Sequence, residues 1–492
     1  MLEKIFEYFD EHKEQAFILK AFLVIALVVY LKESLFFQFT FGYMFYIFGP
    51  LGYLYYLSAV SRFTGQSIGA LLRKHVALIP MIGVESRTKG EKTPWVTYFL
   101  VFINVFIFYI IEMNLSLSGS EFVFKNLVFF PLEANFWNVP LSTITNMFLH
   151  SSPSHLWGNM AFLWAVGTAV ESRIGSKDFA KYYFLTGLLS EILVMAGFWL
   201  FAGSTFPGLG ASGAISGVMG VFAIRCYFTT MTIPIPIFAL LPVSFKVKLN
   251  SLIVMGLFFL RDLGGSIDIA TGQSLGGVAY FDHFVAMVLG IIFAGTSDLH
   301  KDAATEHYTH RGLESLDKRE NFAEGAENLR EAIEMDSENG EALLGLAQMK
   351  SQPHGTKHIL TEEGAQCYEK AIKVFALKDP KRAGDVYIEY HGKYMSGLTD
   401  KALEFRVAGF LHRFGNFDCS GRAYENIIRS EGVPPNIRES ALFKLAAVLE
   451  QMGLIEAADV YYRQFLQEFP MSELAGKVQF KVDNYQGERY VE

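Results

Sequence analysis

The segment GASGAISG, residues 210–217, opens an apolar run of the chain and places Ser212 at its start. We predict a helix here, because small residues recur at every fourth position, Ser212, Ser216 and Gly220, and so share one face. Such a stripe in a membrane helix usually means only that another helix packs closely against it. The unpaired amide groups and positive dipole end of the helix, however, also suit a negative oxygen beside the Ser212 hydroxyl. Ser212 is therefore a candidate nucleophile.

A second polar element, YFDH at residues 280–283, begins the last apolar run of this region. Ionisable residues inside a membrane helix are costly and are functional candidates by default. Ala286 and Gly290 lie on the same side as His283, which gives this helix a thin face suited to the small stripe of the Ser212 helix. A lone buried histidine is more often structural. At matching depth, however, His283 can take the hydroxyl proton of Ser212.

A third element, HSSPSHLWGN at residues 150–159, starts an earlier apolar run. His155 and Asn159 are four apart, so on a helix they project from one face as two hydrogen-bond donors. Donors of this kind suit a developing oxyanion, and the plain alternative is polar side chains that hold membrane helices together. His150 and His155 are five apart, which is the wrong spacing for two metal ligands on one helical face. We therefore expect no metal site here.

The long apolar segments of the first 300 residues predict a membrane-embedded helix bundle. They approach the ~20 residues that a bilayer-spanning helix needs, and a very apolar soluble core is a poor alternative for so many consecutive runs. The uncharged run at 226–245 has the same character. We predict a core of six spans, near 95–111, 155–171, 182–203, 212–228, 249–260 and 279–297, preceded by two apolar stretches at 16–31 and 35–60.

Basic residues in the short connections predict the orientation, because Lys and Arg stay on the cytoplasmic side. One set of connections holds Arg87, Lys89, Lys92, Arg173, Lys177, Lys181, Arg225, Lys246 and Lys248. The opposite connections hold only Lys125 and Arg261. Both ends of the core are thus expected in the cytoplasm, with the start of the Ser212 helix facing outward. This describes a multi-pass integral protein of a bacterial inner or plasma membrane with a cytoplasmic C-terminal domain.

The charge distribution divides the chain into an extension at 1–90, a core at 91–300 and a tail at 301–492. The first 300 residues carry 18 Lys and Arg against 18 Asp and Glu, and the tail carries 24 against 32. The net charge of −8 therefore lies in the tail. In the extension, residues 16–60 favour a transmembrane hairpin over interfacial helices, although Lys20 makes the first stretch short for a span. Lys20 and the lack of a small-residue cleavage site also argue against a cleavable signal peptide.

The tail predicts a soluble α-helical repeat domain of the tetratricopeptide type, because its amphipathic helices recur at that period. The alternative is a generic helical bundle. The clearest unit comprises Leu442, Leu445, Ala446, Leu449, Gly453, Ala458, Tyr462, Phe465 and Pro470, and the unit before it comprises Val407, Ala408, Leu411, Gly415, Tyr424 and Ile427. The whole chain is thus predicted to be all-α.

The three cysteines, Cys226, Cys367 and Cys419, have no spacing typical of disulfide frameworks or zinc sites. We therefore expect the tail in a reducing compartment. No cofactor, metal ion or nucleic-acid partner is predicted.

Over residues 91–297 the sequence resembles the rhomboid family of intramembrane serine proteases. The resemblance rests on the GASG of residues 210–213, the HxxxN of 155–159, His283 in the last span, and GTAVESRIG at 167–175 followed by a tyrosine pair at 182–183. It implies that Ser212 attacks a peptide bond in a transmembrane segment while His283 acts as general base and then acid, with no third triad residue required. It also implies that His155, Asn159 and the Ser212 amide form the oxyanion hole.

The resemblance has departures and further implications. The outward loop around Phe136, Trp137 and Asn138 corresponds to the family's partly inserted first loop. An aromatic residue that some members carry four residues after the serine is Ser216 here, the glycine often found three residues after the histidine is Ala286, and the residue before the histidine is Asp282. Adjacent helical residues point about 100° apart, so Asp282 is not expected to face the same partner as His283.

Other intramembrane chemistries fit the sequence less well. A metalloprotease requires HExxH, which does not occur, and an aspartyl protease requires two intramembrane aspartates, whereas only Asp282 lies in a predicted span. The alternative function is a non-proteolytic rhomboid-like scaffold that binds transmembrane clients, although such relatives usually lose the serine or the histidine. A transporter is less favoured, because residues 91–297 show no internal repeat. The expected partners are transmembrane protein substrates, the lipid bilayer and a protein ligand of the tail.

Overall fold

The computed structural model describes residues 55–489 of the chain, with gaps at 78–81, 86–91, 131–138, 202–207, 237–243, 272–278, 352, 355–356 and 359. The predicted hairpin at 16–60 lies outside the described residues except for its end, which belongs to a helical stretch at 55–64. The chain divides into two compact units, Met1–Ala303 and Ala304–Glu492.

The first unit is predominantly helical. Its helices in chain order are α1 (Ile68–His75), α2 (Trp95–Phe106), α3 (Leu117–Asn126), α4 (Val139–Thr145), α5 (Pro153–Phe162), α6 (Thr168–Ile174), α7 (Ser176–Phe201), α8 (Ser212–Arg225), α9 (Ser251–Ala270) and α10 (Tyr280–Thr296). A π-helical segment, Ile107–Ile111, extends α2, and another, Leu163–Gly167, joins α5 to α6.

The described residues of the six predicted spans are almost entirely helical, the second span covering α5, the π-helical segment and part of α6, but not all of the helices are long. Among the described residues, Trp95–Asn114 and Ser176–Ala196 are long and apolar enough to cross a membrane. A third candidate span results if α10 and the helix after it, Leu299–Lys318, are counted as one bent span. Helix α8 is apolar but shorter. The fifth segment is longer than predicted, since α9 runs to Ala270 rather than ending at residue 260.

The all-α prediction is wrong for the connection between α8 and α9. The uncharged run at 226–245 contains strand β3 (Thr230–Pro236) and the beginning of β4 (Ser244–Asn250) instead of a spanning helix. These strands pair antiparallel, Thr230 opposite Asn250, and the short strands β1 (Val76–Ala77) and β2 (Gly83–Val84) complete a sheet of order β1-β4-β3-β2. Lys246, Val247, Lys248 and Leu249 alternate polar and apolar, which is the period of a strand and not of a helix.

Helices α8 and α10 approach each other through their backbones. A Cβ atom added at Gly290 would overlap the carbonyl oxygen of Gly217, and one added at Gly220 would overlap that of Met287. Ala286 is fully buried on the same helix as His283. The small faces predicted for these two helices therefore meet, which fixes the depth of Ser212 relative to His283.

The second unit is a series of helices, each in contact with the next from α12 onward. They are α11 (Leu299–Lys318, which begins in the first unit), α12 (Phe322–Met335), α13 (Gly340–Lys350), α14 (Glu362–Lys378), α15 (Pro380–Tyr394), α16 (Lys401–Arg413), α17 (Phe417–Arg429), α18 (Pro435–Gln451), α19 (Ile455–Glu468) and α20 (Ala475–Arg489). A two-residue hairpin pair, β5 (Pro353–His354) and β6 (Lys357–His358), lies between α13 and α14.

In each of the two repeat units predicted for the tail, the first helix ends in the same kind of turn. Gly415 after α16 and Gly453 after α18 have φ of +80° and +77°, the left-handed region that favours glycine. In each case the following residue donates its amide five positions back, Asn416 to Leu411 and Leu454 to Leu449. The apolar positions of the two units, such as Tyr424 and Tyr462, lie in one continuous core. The assignment to tetratricopeptide repeats stays a prediction.

Candidate active site

Ser212 and His283 are brought together by the close packing of α8 and α10. Ser212 is the first residue of α8, and His283 lies in the first turn of α10. The Nε2 atom of His283 is 2.8 Å from the Oγ atom of Ser212, a hydrogen-bond distance. The histidine is buried and the serine half-buried. This is the geometry that a hydroxyl nucleophile and its base require.

The segment before Ser212 is fixed by backbone hydrogen bonds. Gly208 and Phe129 exchange two of them, at 2.8 and 3.1 Å, and the amide of Gly210 donates to the carbonyl of Asn146 at 2.8 Å. Gly210 has φ of +118°, a conformation that residues with a side chain rarely adopt. The chain therefore reaches α8 through a rigid turn that leaves the amides of its first turn free of side-chain caps.

His155 and Asn159 lie against this turn. A Cβ atom at Gly210 would be 2.9 Å from Nε2 of His155 and 3.4 Å from Nδ2 of Asn159, so both polar atoms face the backbone two residues before Ser212. Ser152 caps α5 by accepting from the His155 amide at 3.2 Å, and Pro153 occupies the first turn. The helix thus presents both side chains on the face that the four-residue spacing predicts.

His150 contacts both His155 and Asn159. Its Nε2 atom is 3.1 Å from Nδ2 of Asn159, and its ring lies edge-on to that of His155 with centroids 5.2 Å apart. The backbone amide of His150 faces both carboxylate oxygens of Glu112 at 3.3 Å. His150 is therefore a partner of Asn159. Among the described residues no group of three or more His, Cys, Asp or Glu is placed to hold a metal ion.

Two aspartates lie near His283 on different sides. Asp262, on α9, is buried, and its Oδ2 atom is 3.8 Å from Nδ1 of His283. Asp282 lies against α8, since a Cβ at Gly213 would overlap its Oδ2 atom, and it interacts electrostatically with His283 and through a hydrogen bond with Ser190 of α7. The expectation that Asp282 and His283 face different partners agrees with this geometry. Asp262 lies two residues beyond the predicted end of the fifth span, on the continuation of α9.

In the segment GTAVESRIG at 167–175, the carboxylate of Glu171 connects the start of α2 with the start of α7. Glu171 is fully buried and accepts hydrogen bonds from the amides of Val96 and Thr97 at 2.8 and 2.7 Å, so that it caps the start of α2. Its carboxylate also accepts from the hydroxyl groups of Thr97 and Ser176. This is a structural role. The loop around Phe136, Trp137 and Asn138 lies outside the described residues.

Comparison with known proteins supports the rhomboid family for the membrane part of the chain. A family model described as the Rhomboid domain matches residues 135–297. The chain is 32% identical over 134 residues to the rhomboid protease GluP of Bacillus subtilis, covering 26% of this chain and 24% of that protein. It is 25% identical over 173 residues to the mitochondrial rhomboid protein 1 of Saccharomyces cerevisiae, covering 33% and 48%.

A third relative is the rhomboid-like protease 3 of Toxoplasma gondii, 30% identical over 114 residues, covering 22% of this chain and 39% of the relative. The chain thus spans less than half the length of these curated relatives. Together the matches support a rhomboid-type membrane protease at the level of the family. Among solved structures, the crystal structure of MamA protein is matched over 34% of this chain with 17% identity and a TM-score of 0.18. That likeness carries no argument about the tail.

Proposed function

We propose that the chain is an intramembrane serine endopeptidase of the rhomboid type that cleaves transmembrane segments with a Ser212–His283 dyad. The observation that carries the proposal is the 2.8 Å contact between Oγ of Ser212 and Nε2 of His283 inside an apolar bundle. A buried histidine paired with a serine at a helix N-terminus has a specific chemical use there, since the same helix end can stabilise an oxyanion.

The reaction follows from the positions of these groups. The Ser212 hydroxyl transfers its proton to Nε2 of His283 while Oγ bonds to the scissile carbonyl carbon. The negative oxygen so formed is stabilised by the Ser212 amide and by the side chains of His155 and Asn159. The imidazolium of His283 then donates its proton to the leaving amine, and an ester between Ser212 and the substrate remains. Water, activated in turn by His283, hydrolyses that ester and restores the hydroxyl.

The direct test is cleavage of a generic single-span substrate by the purified protein in liposomes. Ser212→Ala and His283→Ala should each reduce cleavage below detection, because each removes a group that takes part in bond formation. Ser216→Ala is the matched control, since this buried serine lies one turn further along α8. Cleavage by Ser212→Ala at the wild-type rate would contradict the proposal. An inactive wild-type protein that binds the substrate would favour the scaffold function instead.

We further propose that the tail, 301–492, is a cytoplasmic recruitment domain. The residues assigned a chemical role lie between His155 and His283 and are expected to face outward, whereas the basic connections predict that the tail lies on the other side. A helical array offers an extended surface for a partner or for the cytoplasmic end of a substrate, and such tethering raises local concentration without changing the chemical step.

Truncation after about residue 300 tests this role of the tail, since the second unit begins at Ala304. The truncated core should cleave the generic substrate at nearly the wild-type rate and cleave the native substrate more slowly in cells. A folded but inactive core would show that the tail is a structural part of the protease.

Cysteine labelling from outside tests the predicted orientation in the membrane. Probes at positions 120 and 270 should react, and probes at 177 and 320 should not. Labelling at 320 would show that the orientation is the reverse of the predicted one.

A further inference from the structure

Asp262 occupies a position that the dyad mechanism leaves unexplained. It lies in α9, and its side chain is only 2% exposed although it carries a carboxylate. Burying a carboxylate in an apolar bundle is costly unless it has partners. Its two oxygens have separate neighbours: Oδ1 accepts from Nε and Nη2 of Arg261 at 2.9 and 2.7 Å, and Oδ2 is 3.8 Å from Nδ1 of His283.

The contact with His283 bears on which ring nitrogen carries the proton. Nε2 must be unprotonated in order to accept the Ser212 proton, so Nδ1 must carry the hydrogen of the neutral ring. A carboxylate oxygen facing Nδ1 favours that tautomer and stabilises the imidazolium that forms during the reaction. The 3.8 Å separation is longer than a hydrogen bond. Hydrogen bonds of catalytic groups are often long in the resting enzyme and tighten when substrate is bound.

The surroundings of Asp262 hold it in this orientation. Arg261 engages only Oδ1, which leaves Oδ2 directed toward His283. The Arg261 guanidinium lies over the rings of Phe258, on the same helix, and Tyr280, on the helix of His283, with centroids at 5.1 and 5.8 Å. Arg261 belongs to α9, one residue beyond the predicted end of the fifth span. Its position links α9 to α10 beside the proposed dyad.

The other charged or titratable groups near His283 do not compete for Nδ1. Ser212 contacts the opposite nitrogen, Nε2. His155 interacts electrostatically with His283 from the α5 side. The Asp282 carboxylate also interacts electrostatically with His283, but it lies against Gly213 and is hydrogen-bonded to Ser190. Asp262 is therefore the carboxylate placed to act on the ring from the side away from the nucleophile.

We propose that Asp262 is a positioning residue that orients His283 and sets its reactive tautomer, so that the dyad works as a serine, histidine and aspartate triad. This inference rests on the proposed function. During acylation the proton of Ser212 moves to Nε2, the Nδ1 proton stays on the ring, and Asp262 takes up no proton. The same proton on Nε2 then passes to the leaving amine, so no further reactant is needed.

The test compares Asp262→Asn with the wild-type full chain in liposomes. We expect kcat for the generic substrate to fall about 10²-fold with KM unchanged, since the residue affects proton transfer and not substrate binding. Asp268→Asn, the same substitution at an exposed position of α9, should leave kcat at the wild-type value. Asp262→Glu, which keeps a carboxylate, should recover part of the loss.

Nitrogen-15 NMR of the histidine ring supplies a readout that a merely structural role of Asp262 would not change. The wild-type protein should show the Nδ1–H tautomer of His283, and the folded Asp262→Asn variant should show an increased Nε2–H fraction. Wild-type kcat together with an unchanged tautomer in Asp262→Asn would overturn the proposal while the dyad stands. If Asp262→Asn does not fold, a folded Asp262→Glu protein with the Nε2–H tautomer would overturn it equally. Cleavage by Ser212→Ala would remove the proposed function, and this inference with it.

Discussion

The two units of the chain pack their helices in different ways. In the first unit, which contains the predicted spans and is called the membrane unit below, α8 and α10 meet backbone to backbone. A methyl group at Gly290 would overlap the carbonyl of Gly217. In the tail the glycines at helix contacts mostly meet the ends of side chains: a Cβ at Gly345 would be 2.6 Å from Cδ2 of Leu313. A leucine methyl can rotate away, whereas a helix backbone cannot move without its whole helix. In the membrane unit the packing therefore sets the distance between α8 and α10. In the tail the packing mainly buries apolar side-chain surface.

Charges are also used differently in the two units. Most ion pairs of the tail lie at its surface, such as Arg311 with Glu324, whose side chains are about half exposed, although Glu404 is fully buried and paired with Lys401. Surface pairs contribute little to stability. In the membrane unit the acidic groups Glu171, Asp262 and Asp282 are buried, one at a helix start and two beside His283. Where a charge is costly, its position indicates a structural or chemical role.

The largest effect is expected at the backbone contact. Gly290→Ala should reduce cleavage by more than about 10²-fold, because separating α8 from α10 moves His283 from Ser212, and should lower the free energy of unfolding by about 1–3 kcal/mol. Gly295→Ala, later in the same helix, is the matched control, since a Cβ there would meet no described atom of another helix within 4 Å. Gly345→Ala in the tail should leave cleavage unchanged. Equal activity in Gly290→Ala and Gly295→Ala would show that the backbone contact between α8 and α10 does not set the distance between Ser212 and His283.

A smaller loss is expected at the oxyanion site. Asn159→Ala should lower kcat about 10²-fold and leave a measurable remnant, because one donor among several is removed. His150→Ala should lower kcat less, since His150 contacts Asn159 and not the reacting atoms. Steady-state kinetics on the generic substrate give both values. A larger loss in His150→Ala than in Asn159→Ala would mean that the order of these two roles is reversed.

The smallest effect concerns the pH dependence of the tail. Burial alone would raise the pKa of Glu389, but hydrogen bonds from Lys393, Tyr368 and Gln348 together hold it below its usual 4.5. A carboxyl group with a lowered pKa in the folded state contributes stability above its unfolded pKa and loses it as the pH falls through the folded value. Hydrogen exchange in α15 should therefore speed up below about pH 4.5 after correction for intrinsic rates.

Glu389→Gln in the full chain should remove part of that acid dependence. Glu331→Gln, at an exposed position of α12, is the control and should retain it. An unchanged pH dependence in Glu389→Gln would show that other groups of the tail carry the effect.

The contact between Ser212 and His283 was predictable because both residues follow local rules. Ser212 stands at the head of a small-residue helix and His283 at the head of another, so equal depth followed from the sequence. The shared helix face of His155 and Asn159 was predictable from their four-residue spacing, and their role in an oxyanion hole stays a prediction. The positions of the buried apolar residues in the tail, such as Tyr424 and Tyr462, were predictable from the repeat.

The remaining features depend on tertiary contacts or on a misread period. Asp262 was missed because Arg261 and Asp262 together appeared to end an apolar segment, whereas their mutual hydrogen bonds and the burial of Asp262 allow the helix to continue. The sheet was not predicted, because the run at 226–245 was judged by its lack of charge and not by the alternation of Lys246 and Lys248 with apolar residues. The role of His150 as a partner of Asn159 required the fold of the loop around it.

The central claim is that Ser212 is a nucleophile activated by His283, and covalent labelling tests it most directly. A fluorophosphonate added to the full-length protein in liposomes should modify one residue, Ser212, as identified by peptide mass spectrometry. The modification should be lost in Ser212→Ala, strongly slowed in His283→Ala and unchanged in Ser216→Ala. Labelling of a different serine, or labelling of Ser212 at the same rate in His283→Ala as in the wild type, would contradict the account.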